Sequence, residues 1–390
     1  MRPSMKSTFL VVFVVCLGII SAVIFHNIYR PRIEEQKIPK LSFTRDINAR
    51  KMFNIHVKAV VIRDGEVIDI RIDRADPVTK NLYALIYNYL LGGVAGENAA
   101  SYKDTDGNSR ENMDTEYGGS NPSISVAIGD GTGAPSKDDY KLASVYKVNS
   151  TPETTYSENA TTITYNYTAT FYIDTNINIT EAGLILEDVD YYPYSSSRLC
   201  DVLIARELFT PPISLTTGDY LILSYILYIN KSGNFVRSFY ALLNNYYFWG
   251  TGLEKQNYTD TSGINHTDMD TEDETYPYGK NPEVYVSIGN SSTTFNLSVY
   301  RLTNPVLTAS GGVAYQDNPT NFTVIISALF TFNRDCNITE LGLIIKLDSD
   351  SGSAVSETDV LILYKPFDTP IQVSAGQKLV FTVKIVFKYS

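Results

Sequence analysis

Two acidic loops hold the residues best suited to chemistry in this chain of 390 residues. One runs from Asp104 to Glu116 and the other from Asp260 to Glu272, and both place oxygen-bearing side chains at nearly alternate positions. Hard cations such as Ca²⁺ are bound by several such oxygens at once. The spacing differs from an EF-hand, because Gly107 comes two places too early and no glutamate stands at the twelfth position. Each loop is therefore either solvated or a calcium site, with these ligands: Asp104, Asp106, Asn108, Asp114, Glu116, Asp260, Asp268, Asp270 and Glu272.

Glu181 and Glu340 are the other carboxylates with a possible chemical role, because each follows the motif Asn-Ile-Thr and precedes an apolar run. A glycosidase needs two carboxylates that face each other across one cleft, and nothing in the spacing supplies the second. We favour the alternative, a turn carboxylate that accepts hydrogen bonds from backbone amides. The glycine-rich segment 129–133 has neither a lysine nor a helix after it, which argues against a phosphate loop. The sequence therefore predicts no enzymatic activity and no cofactor other than calcium.

The elements that must position these residues occur twice. Five segments recur in the same order, at offsets between 156 and 160 residues. The paired segments begin at Tyr83 and Tyr240, Tyr102 and Tyr258, Asn121 and Asn281, Asn178 and Asn337, and Asp201 and Asp359. Units of this length are duplicated domains rather than short solenoid repeats.

Each repeat reads as a run of short strands with one helix. Two β-rich segments flank Asp64-Gly65, which is a strong hairpin signal. Apolar residues at helical spacing follow Pro77 and stop at Gly92, and residues 234–250 repeat this pattern. The remaining runs are rich in β-branched and aromatic residues at the spacing of a β-sandwich.

We therefore predict an all-β dominated fold, with an N-terminal transmembrane helix followed by two tandem homologous β-sandwich (jelly-roll-like) domains, each with one α-helix. The expected boundaries are 1–29 for a transmembrane anchor or signal segment, 30–54 for a stalk or linker, 55–230 for repeat 1 with its N-terminal hairpin, and 231–390 for repeat 2. Two ordinary cores are expected, one in each repeat.

Residues 8–28 carry no charge and are almost wholly apolar over most of their length. They are a retained membrane anchor, a cleaved secretory signal or a pilin-type signal cut near Lys6. Residues 1–80 carry a net charge of +6 and residues 81–390 a net charge of −17. An acidic body on a basic stem suits export better than nucleic-acid binding, so no nucleic-acid partner is expected.

N-glycosylation sequons are about twice as frequent as the Asn, Ser and Thr content predicts by chance, and all follow the apolar segment. The preference of Asn and Thr for turns accounts for part of this number. The predicted glycosylation sites are Asn149, Asn159, Asn166, Asn178, Asn230, Asn257, Asn265, Asn290, Asn296, Asn321 and Asn337. Cys200 and Cys336 occupy non-equivalent positions of the two repeats, and they either form one bridge or stay as buried thiols.

Tyrosine is abundant and its clusters have two interpretations, core packing and surface contact. The cluster 246–249 lies on a helical pattern and is expected in the core. Tyr191, Tyr192 and Tyr194 lie in a loop and are the predicted surface contacts.

The order of short motifs resembles known surface proteins. A strand ending in Ile-Gly, then E-x-G-L, then L-I-A-R-x-x-F and Gly-Asp before a last apolar strand, resembles a β-domain of virus and phage virion-associated proteins. The sequon-rich and Tyr-rich setting looks more like archaeal cell-surface and appendage subunits. In pili of this broad kind an N-terminal strand completes the sandwich of a neighbour, and the apolar strand 55–62 would suit that role.

The sequence thus predicts a non-enzymatic, exported, glycosylated structural or assembly protein, such as an appendage, coat or filament subunit. It would lie outside the cell, secreted or held by a single pass through residues 8–28. Its expected partners are the membrane, further copies or other surface proteins, and N-glycans. The alternatives are a carbohydrate-binding adhesin and a virion-associated structural protein.

Overall fold

The computed structural model describes residues 40–49, 52–74, 78–92, 99–111, 123–191, 198–231, 233–248, 256–266, 283–291, 294–347 and 358–389. The predicted anchor at 8–28 lies outside these ranges. Within them, no helix has both the length and the apolar character needed to span a membrane.

The chain is mostly β-sheet, as predicted. The elements up to the middle of the chain are β1 (Lys40–Asn48), β2 (Phe53–Arg63), β3 (Glu66–Arg74), α1 (Lys80–Leu90), β4 (Tyr102–Lys103), β5 (Ser109–Arg110), β6 (Ser123–Gly129), β7 (Val145–Asn149), β8 (Glu153–Glu158), β9 (Thr162–Tyr172), β10 (Ile177–Tyr191), β11 (Arg198–Leu215) and β12 (Tyr220–Asn230). The rest are α2 (Arg237–Leu243), a π-helical turn (Asn244–Phe248), β13 (Tyr258–Thr259), β14 (Asn265–His266), β15 (Val284–Gly289), β16 (Pro305–Ser310), β17 (Gly312–Asp317), β18 (Asn321–Thr331), β19 (Cys336–Leu347), β20 (Thr358–Val373) and β21 (Lys378–Lys388).

Four larger sheets reproduce the duplication. In repeat 1, sheet 1 has the order β3-β2-β12-β9-β8 and sheet 2 the order β11-β10-β6-β7. In repeat 2, sheet 3 has the order β1-β21-β18-β17 and sheet 4 the order β16-β15-β19-β20. Sheets 1 and 2 meet where β6 and β7 contact β9, and sheets 3 and 4 meet where β15 and β16 contact β18. Equivalent strands of the two repeats therefore hold equivalent places in a two-layer arrangement.

The hairpin of β2 and β3 turns at Asp64-Gly65, as predicted. Both residues have positive φ, 51° and 82°, which is the conformation that a two-residue hairpin turn requires. β2 pairs antiparallel with β3 on one side and with β12 on the other. Both edges of strand 55–62 are thus occupied within the chain, so the prediction that it completes a neighbouring subunit is wrong.

Strand β1 lies inside the segment 30–54 that was expected to be a stalk. It pairs parallel with β21, the last strand of repeat 2, over Lys40–Asn48. Ile47 is buried, and the Phe43 ring lies 5.2 Å from that of Phe381. The alternation of apolar and polar residues here is interrupted by Arg45, whose guanidinium lies 4.5 Å above the Phe43 ring. A stalk interpretation of residues 40–48 is therefore wrong, because they form an edge strand of sheet 3. Arg45 is compatible with this strand because its guanidinium packs on an aromatic face.

Both predicted helices are present and both are buried. All of α1 after Lys80 is buried, and its sequence is apolar or aromatic except for Asn81 and Asn88. The side-chain amides of these two asparagines donate hydrogen bonds to backbone carbonyls, which makes their burial tolerable. Gly92, with φ of 81°, follows its last turn. α2 continues directly into the π-helical turn, where Tyr246, Tyr247 and Phe248 are buried. The core assignment of this tyrosine cluster is confirmed for residues 246–248, and Trp249 lies outside the described residues.

The helices cross between the repeats. Tyr83 of α1 lies 5.2 Å from Phe387 and 5.5 Å from Tyr389, both in or beside β21 of repeat 2. In return, the hydroxyl of Tyr167 on β9 donates a hydrogen bond to the Phe248 carbonyl of the π-helical turn at 2.9 Å. One contiguous cluster of buried side chains contains residues of both repeats. The expectation of two separate cores is therefore wrong, because α1 contacts sheet 3 of repeat 2 and the π-helical turn contacts sheet 1 of repeat 1.

Candidate functional site

Glu181 is the most enclosed carboxylate of repeat 1. Its side chain is fully buried on β10, and its oxygens accept hydrogen bonds from the backbone amides of Gly131, Ala143 and Ser144 at 2.8 to 3.1 Å. The Arg206 guanidinium on β11 completes the shell, with Nη2 2.7 Å from Oε2. A buried carboxylate is stable when it is paired and fully hydrogen-bonded, as it is here.

The glycine-rich segment 129–133 shapes this carboxylate shell. A Cβ on Gly131 would collide with the Glu181 carboxylate, so the chain can approach this closely only without a side chain. The Gly133 carbonyl accepts a hydrogen bond from Arg206 Nη2 at 2.9 Å. The contact between the glycine-rich segment and Glu181 was not predicted from the sequence. The signal that could have indicated it is a glycine-rich turn in the same repeat as a duplicated glutamate.

Repeat 2 has the same arrangement with a different partner. Glu340 is fully buried and accepts hydrogen bonds from the amides of Thr303 and Asn304 and from the Tyr364 hydroxyl, the last at 3.0 Å. Tyr364 is the counterpart of Arg206 in repeat 2. Arg206 lies opposite Gly183 in the β10–β11 pair, and Tyr364 lies opposite the equivalent Gly342 in the β19–β20 pair. The expectation that both glutamates accept hydrogen bonds from backbone amides is confirmed, although they lie within strands β10 and β19 and not in turns. Their oxygens point into the fold, where they stabilise backbone amides.

Asp104 organises the first acidic loop. Its carboxylate accepts hydrogen bonds from the backbone and side-chain amides of Asn108 and pairs with the Arg110 guanidinium at 2.8 Å. Burial alone would raise the pKa of Asp104, but these hydrogen bonds and the cation outweigh it and hold the pKa below its ordinary value. The carboxylate therefore stays ionised and fixes the turn.

Asp260 organises the second acidic loop as Asp104 organises the first. It accepts hydrogen bonds from the amides of Ser262 and Ile264 at 2.8 Å, and His266 Nε2 lies 2.9 Å from its Oδ2. Burial opposes ionisation, but the His266 and backbone hydrogen bonds lower the pKa of Asp260 overall. His266 thus stands where Arg110 stands in repeat 1, six residues after the aspartate in both loops.

In the described part of these loops, side chains of the same chain already pair with the two aspartates. Arg110 pairs with Asp104 and His266 pairs with Asp260, and both aspartates are predicted calcium ligands. The nearby Asp106 and Asn108 are exposed. No group of three or more His, Cys, Asp or Glu side chains is arranged to hold a metal among the described residues. The other predicted ligands lie outside the described residues: Asp114, Glu116, Asp268, Asp270 and Glu272. Calcium binding by the nine predicted ligands stays a prediction.

All eleven sequon asparagines lie in described parts of the chain, and none is buried. Seven are exposed, namely Asn159, Asn178, Asn257, Asn265, Asn290, Asn296 and Asn337. Four are half-buried, namely Asn149, Asn166, Asn230 and Asn321. Every predicted site therefore lies at the protein surface.

The predicted tyrosine contact lies at the end of a strand. Tyr191 is the last residue of β10, and Tyr192 and Tyr194 lie outside the described residues. A different tyrosine pair is exposed on the outer face of sheet 1, where the Tyr172 and Tyr220 rings lie 5.4 Å apart. These two are 50% and 45% exposed. Their strands alternate buried and exposed residues, so the period-two pattern could have located this pair.

The outer face of sheet 1 continues from this tyrosine pair into an apolar strip. Tyr220 faces Ile62 on β2, and Ile62 faces Val67 on β3. β3 itself exposes four large apolar side chains, Val67, Ile68, Ile70 and Ile72, the last at 66%. An exposed apolar strip on an edge strand is typical of an interaction surface.

An open cleft of about 610 Å³ lies between the repeats. Lys137 at its rim pairs with Asp317 of repeat 2 at 3.4 Å, and Tyr389 donates a hydrogen bond to the same aspartate at 2.7 Å. Lys80 and Lys137 both pair with Asp138 within repeat 1, and Lys137 links this group to Asp317 across the repeat boundary. Their arrangement joins the two repeats.

Cys200 and Cys336 are both half-buried, and no disulfide joins them in the described part of the chain. Burial raises the pKa of the Cys336 thiol above its ordinary value, which makes it a poor nucleophile at neutral pH. The interpretation as separate thiols is confirmed, with less burial than expected.

No match to this chain was found among protein-family models, curated proteins or solved structures. The resemblance to surface and virion proteins therefore stays a prediction.

Proposed function

We propose that this chain is a non-enzymatic structural protein of the cell exterior, in which two sandwich-like repeats, locked together by their helices, present a glycosylated surface for assembly. The observation that carries the proposal is the position of the eleven sequons, every one of which lies at the surface. Oligosaccharide transfer requires an accessible asparagine, and a chain outside the cell would meet that machinery.

The apolar segment 8–28 supports an anchored form of the protein. It is long enough to cross a bilayer if it is retained. The residues between it and β1 could span at most about 40 Å. Since β1 pairs with β21, an anchored chain would hold sheet 3 of repeat 2 near the membrane.

The buried carboxylates support a structural role. Glu181 and Glu340 were the best candidates for hydrolysis, and both direct their oxygens to backbone amides inside the fold. Hydrolase activity of the purified chain that disappears on Glu181→Gln or Glu340→Gln, with an unchanged melting temperature, would refute the proposal.

The direct test is glycosylation and topology in the native host. Intact cells would be treated with an extracellular protease and with a membrane-impermeant amine label, and the sequon peptides would be analysed by mass spectrometry. We expect labelling of the chain in intact cells and a glycan mass on several sequon asparagines. A chain that is protected from both reagents and carries unmodified asparagines would contradict the proposal.

A carbohydrate-binding adhesin is the second candidate, favoured by the exposed pair Tyr172 and Tyr220. Exposed aromatic rings are suited to stacking on sugar rings. Glycan binding that Tyr172→Ala and Tyr220→Ala both abolish would support this function. Binding that depends on Tyr191 instead would identify the loop that the sequence predicted.

A further inference from the structure

Strand β3 is an open edge. It is the last strand of sheet 1, pairs with β2 on one side, and has no strand beside its other edge in the described part of the chain. An edge strand offers a row of backbone donors and acceptors that another strand can pair with. Natural edges are usually protected by charges, prolines, bulges or short length. The nine residues of β3 include no proline, although five of them are charged and the pairing with β2 is irregular between Val67 and Asp69.

The side chains of β3 differ from those of the matching edge in repeat 2. Ile70 and Ile72 are 58% and 66% exposed. Strand β1, the corresponding edge of sheet 3, exposes Ser42, Thr44 and Asp46 instead. Four of the eleven large apolar side chains exposed in the described residues belong to β3 alone. The asymmetry indicates a contact that sheet 1 makes and sheet 3 does not.

The sequence of β3 is self-complementary. If two β3 strands lie antiparallel with Ile70 opposite Ile70, position 69 faces position 71 and position 66 faces position 74. These positions hold Asp69 and Arg71, and Glu66 and Arg74, so both pairs join an acid and a base, whereas Val67 faces Asp73. Asp69 and Arg71 also form an ion pair within one chain at 3.0 Å, so the contact would bring two such ion pairs together. Ile68 faces Ile72 in the same register. Opposite charges and apolar pairs directly across two strands stabilise a sheet, by about 0.2–1 kcal/mol each.

The other edge of sheet 1, strand β8, lacks this property. Strand β8, at the far side of sheet 1, runs from Glu153 to Glu158, and antiparallel pairing with itself would place these two acids opposite each other. Like charges in direct opposition destabilise a strand pair. Self-pairing of sheet 1 is therefore favoured at β3.

We propose that β3 pairs with β3 of a second copy of this chain, about a two-fold axis through Ile70, so that two copies of sheet 1 form one continuous sheet. Such a contact is isologous and closes as a dimer. The inference rests on the proposed function, because an assembly protein must associate with further copies and the β3 contact would provide that association. The strand sequence and its exposure carry it independently of where the protein is located.

The first test is cross-linking of the full-length chain in mild detergent. Ile70→Cys places two thiols on the proposed axis, and Thr44→Cys places one on the matching exposed edge of repeat 2. With a short bis-maleimide reagent we expect several-fold more covalent dimer from Ile70→Cys than from Thr44→Cys. Cys200 and Cys336 remain in both variants, so the unsubstituted chain gives the background. Equal yields from the two variants would overturn the proposal.

The second test uses charge. Asp69→Arg places two cations opposite each other in the proposed register, and Arg71→Asp places two anions opposite each other. Each variant alone should be monomeric by light scattering, whereas an equimolar mixture should form a heterodimer because every charge then faces its opposite. Arg71 also donates hydrogen bonds to the Pro211 and Pro212 carbonyls, so the melting temperature of each variant is measured as the folding control.

Failure of the pairing is distinguishable from failure of the proposed function. A mixture that stays monomeric, with both variants folded, would remove the β3 contact and leave the surface role intact. A chain that pairs through β3 but is found inside the cell without glycans would support the β3 contact and refute the surface role.

Discussion

Glu181 and Arg206 form an ion pair in the interior of repeat 1, with Oε2 and Nη2 2.7 Å apart and neither side chain more than 4% exposed. In repeat 2 the equivalent Glu340 accepts a hydrogen bond from Tyr364 instead. The duplicated fold thus keeps the carboxylate and its amide donors, and it accepts either a cation or a hydroxyl as the remaining partner. The carboxylate is a fixed structural element of each repeat.

Replacing Arg206 tests this relationship. Arg206→Met leaves Glu181 buried without a cation and should lower the free energy of unfolding by about 3–5 kcal/mol. Arg206→Tyr reproduces the partner found in repeat 2 and should cost less. Urea denaturation of the full chain, followed by tryptophan fluorescence and circular dichroism, measures both. Equal losses for the two variants would show that the partner of Glu181 is irrelevant.

The glycine-rich turn gives a matched pair of variants. Gly131→Ala inserts a methyl group into the Glu181 carboxylate shell and should lower stability by about 1–3 kcal/mol. Gly133→Ala is the control, since its Cβ would meet only Arg206 Nη2 at an ordinary 3.7 Å. The difference in melting temperature between the two is the measurement. If Gly133→Ala is as destabilising as Gly131→Ala, close approach to Glu181 is not the cause.

The contacts of α1 and the π-helical turn with the opposite repeat predict that the two repeats unfold together. Tyr83→Ala removes an α1 side chain that packs on β18 and β21 and should cost about 3–5 kcal/mol. Hydrogen exchange should then accelerate in β18 and β21 of repeat 2 as well as in repeat 1. Tyr172→Ala, at an exposed position, is the control. Acceleration confined to repeat 1 would contradict a shared core.

Asp219 should make stability depend on pH in the acid range. The Arg63 guanidinium, with hydrogen bonds from Thr216, lowers the pKa of Asp219 to about 2 from an ordinary 3.8. A carboxyl group with a lowered pKa stabilises the fold above its ordinary pKa, and this contribution is lost as the pH falls from about 4 to 2. Asp219→Asn should therefore flatten the decline of melting temperature in that window. An unchanged acid profile would assign the decline to other groups.

Calcium binding by the acidic loops is tested by chelation. A cation held only by the folded state raises the melting temperature by mass action, so a chelator should lower it. Asp114→Asn and Asp268→Asn should remove that response if the ligands lie in the parts of the loops beyond Asn108 and His266. A transition that neither chelator nor added calcium moves would remove calcium from the function of this protein.

Much of the local structure could be predicted from the sequence. The Asp64-Gly65 turn, the two helices and the alternating strands all follow from residue types at short spacing. The role of Glu181 and Glu340 as acceptors for backbone amides was also predicted, but as turn residues, whereas both lie within strands. Strand β1 was missed because Arg45 breaks the alternation. The packing of its guanidinium on the Phe43 ring is a contact that strand periodicity does not encode.

The sequence by itself determined the duplication, the class of fold and which residues stand at equivalent positions, because these depend on patterns that the chain repeats. The tertiary structure alone decided that α1 packs on the sheet of repeat 2 and that β1 pairs with β21. It also decided that Arg110 and His266 pair with the aspartates of the acidic loops. It also decided that β2 is enclosed while β3 is left open at the edge. The physical reason is that strand order and helix placement are set by long-range burial, in which residues far apart in sequence compete for the same apolar surface.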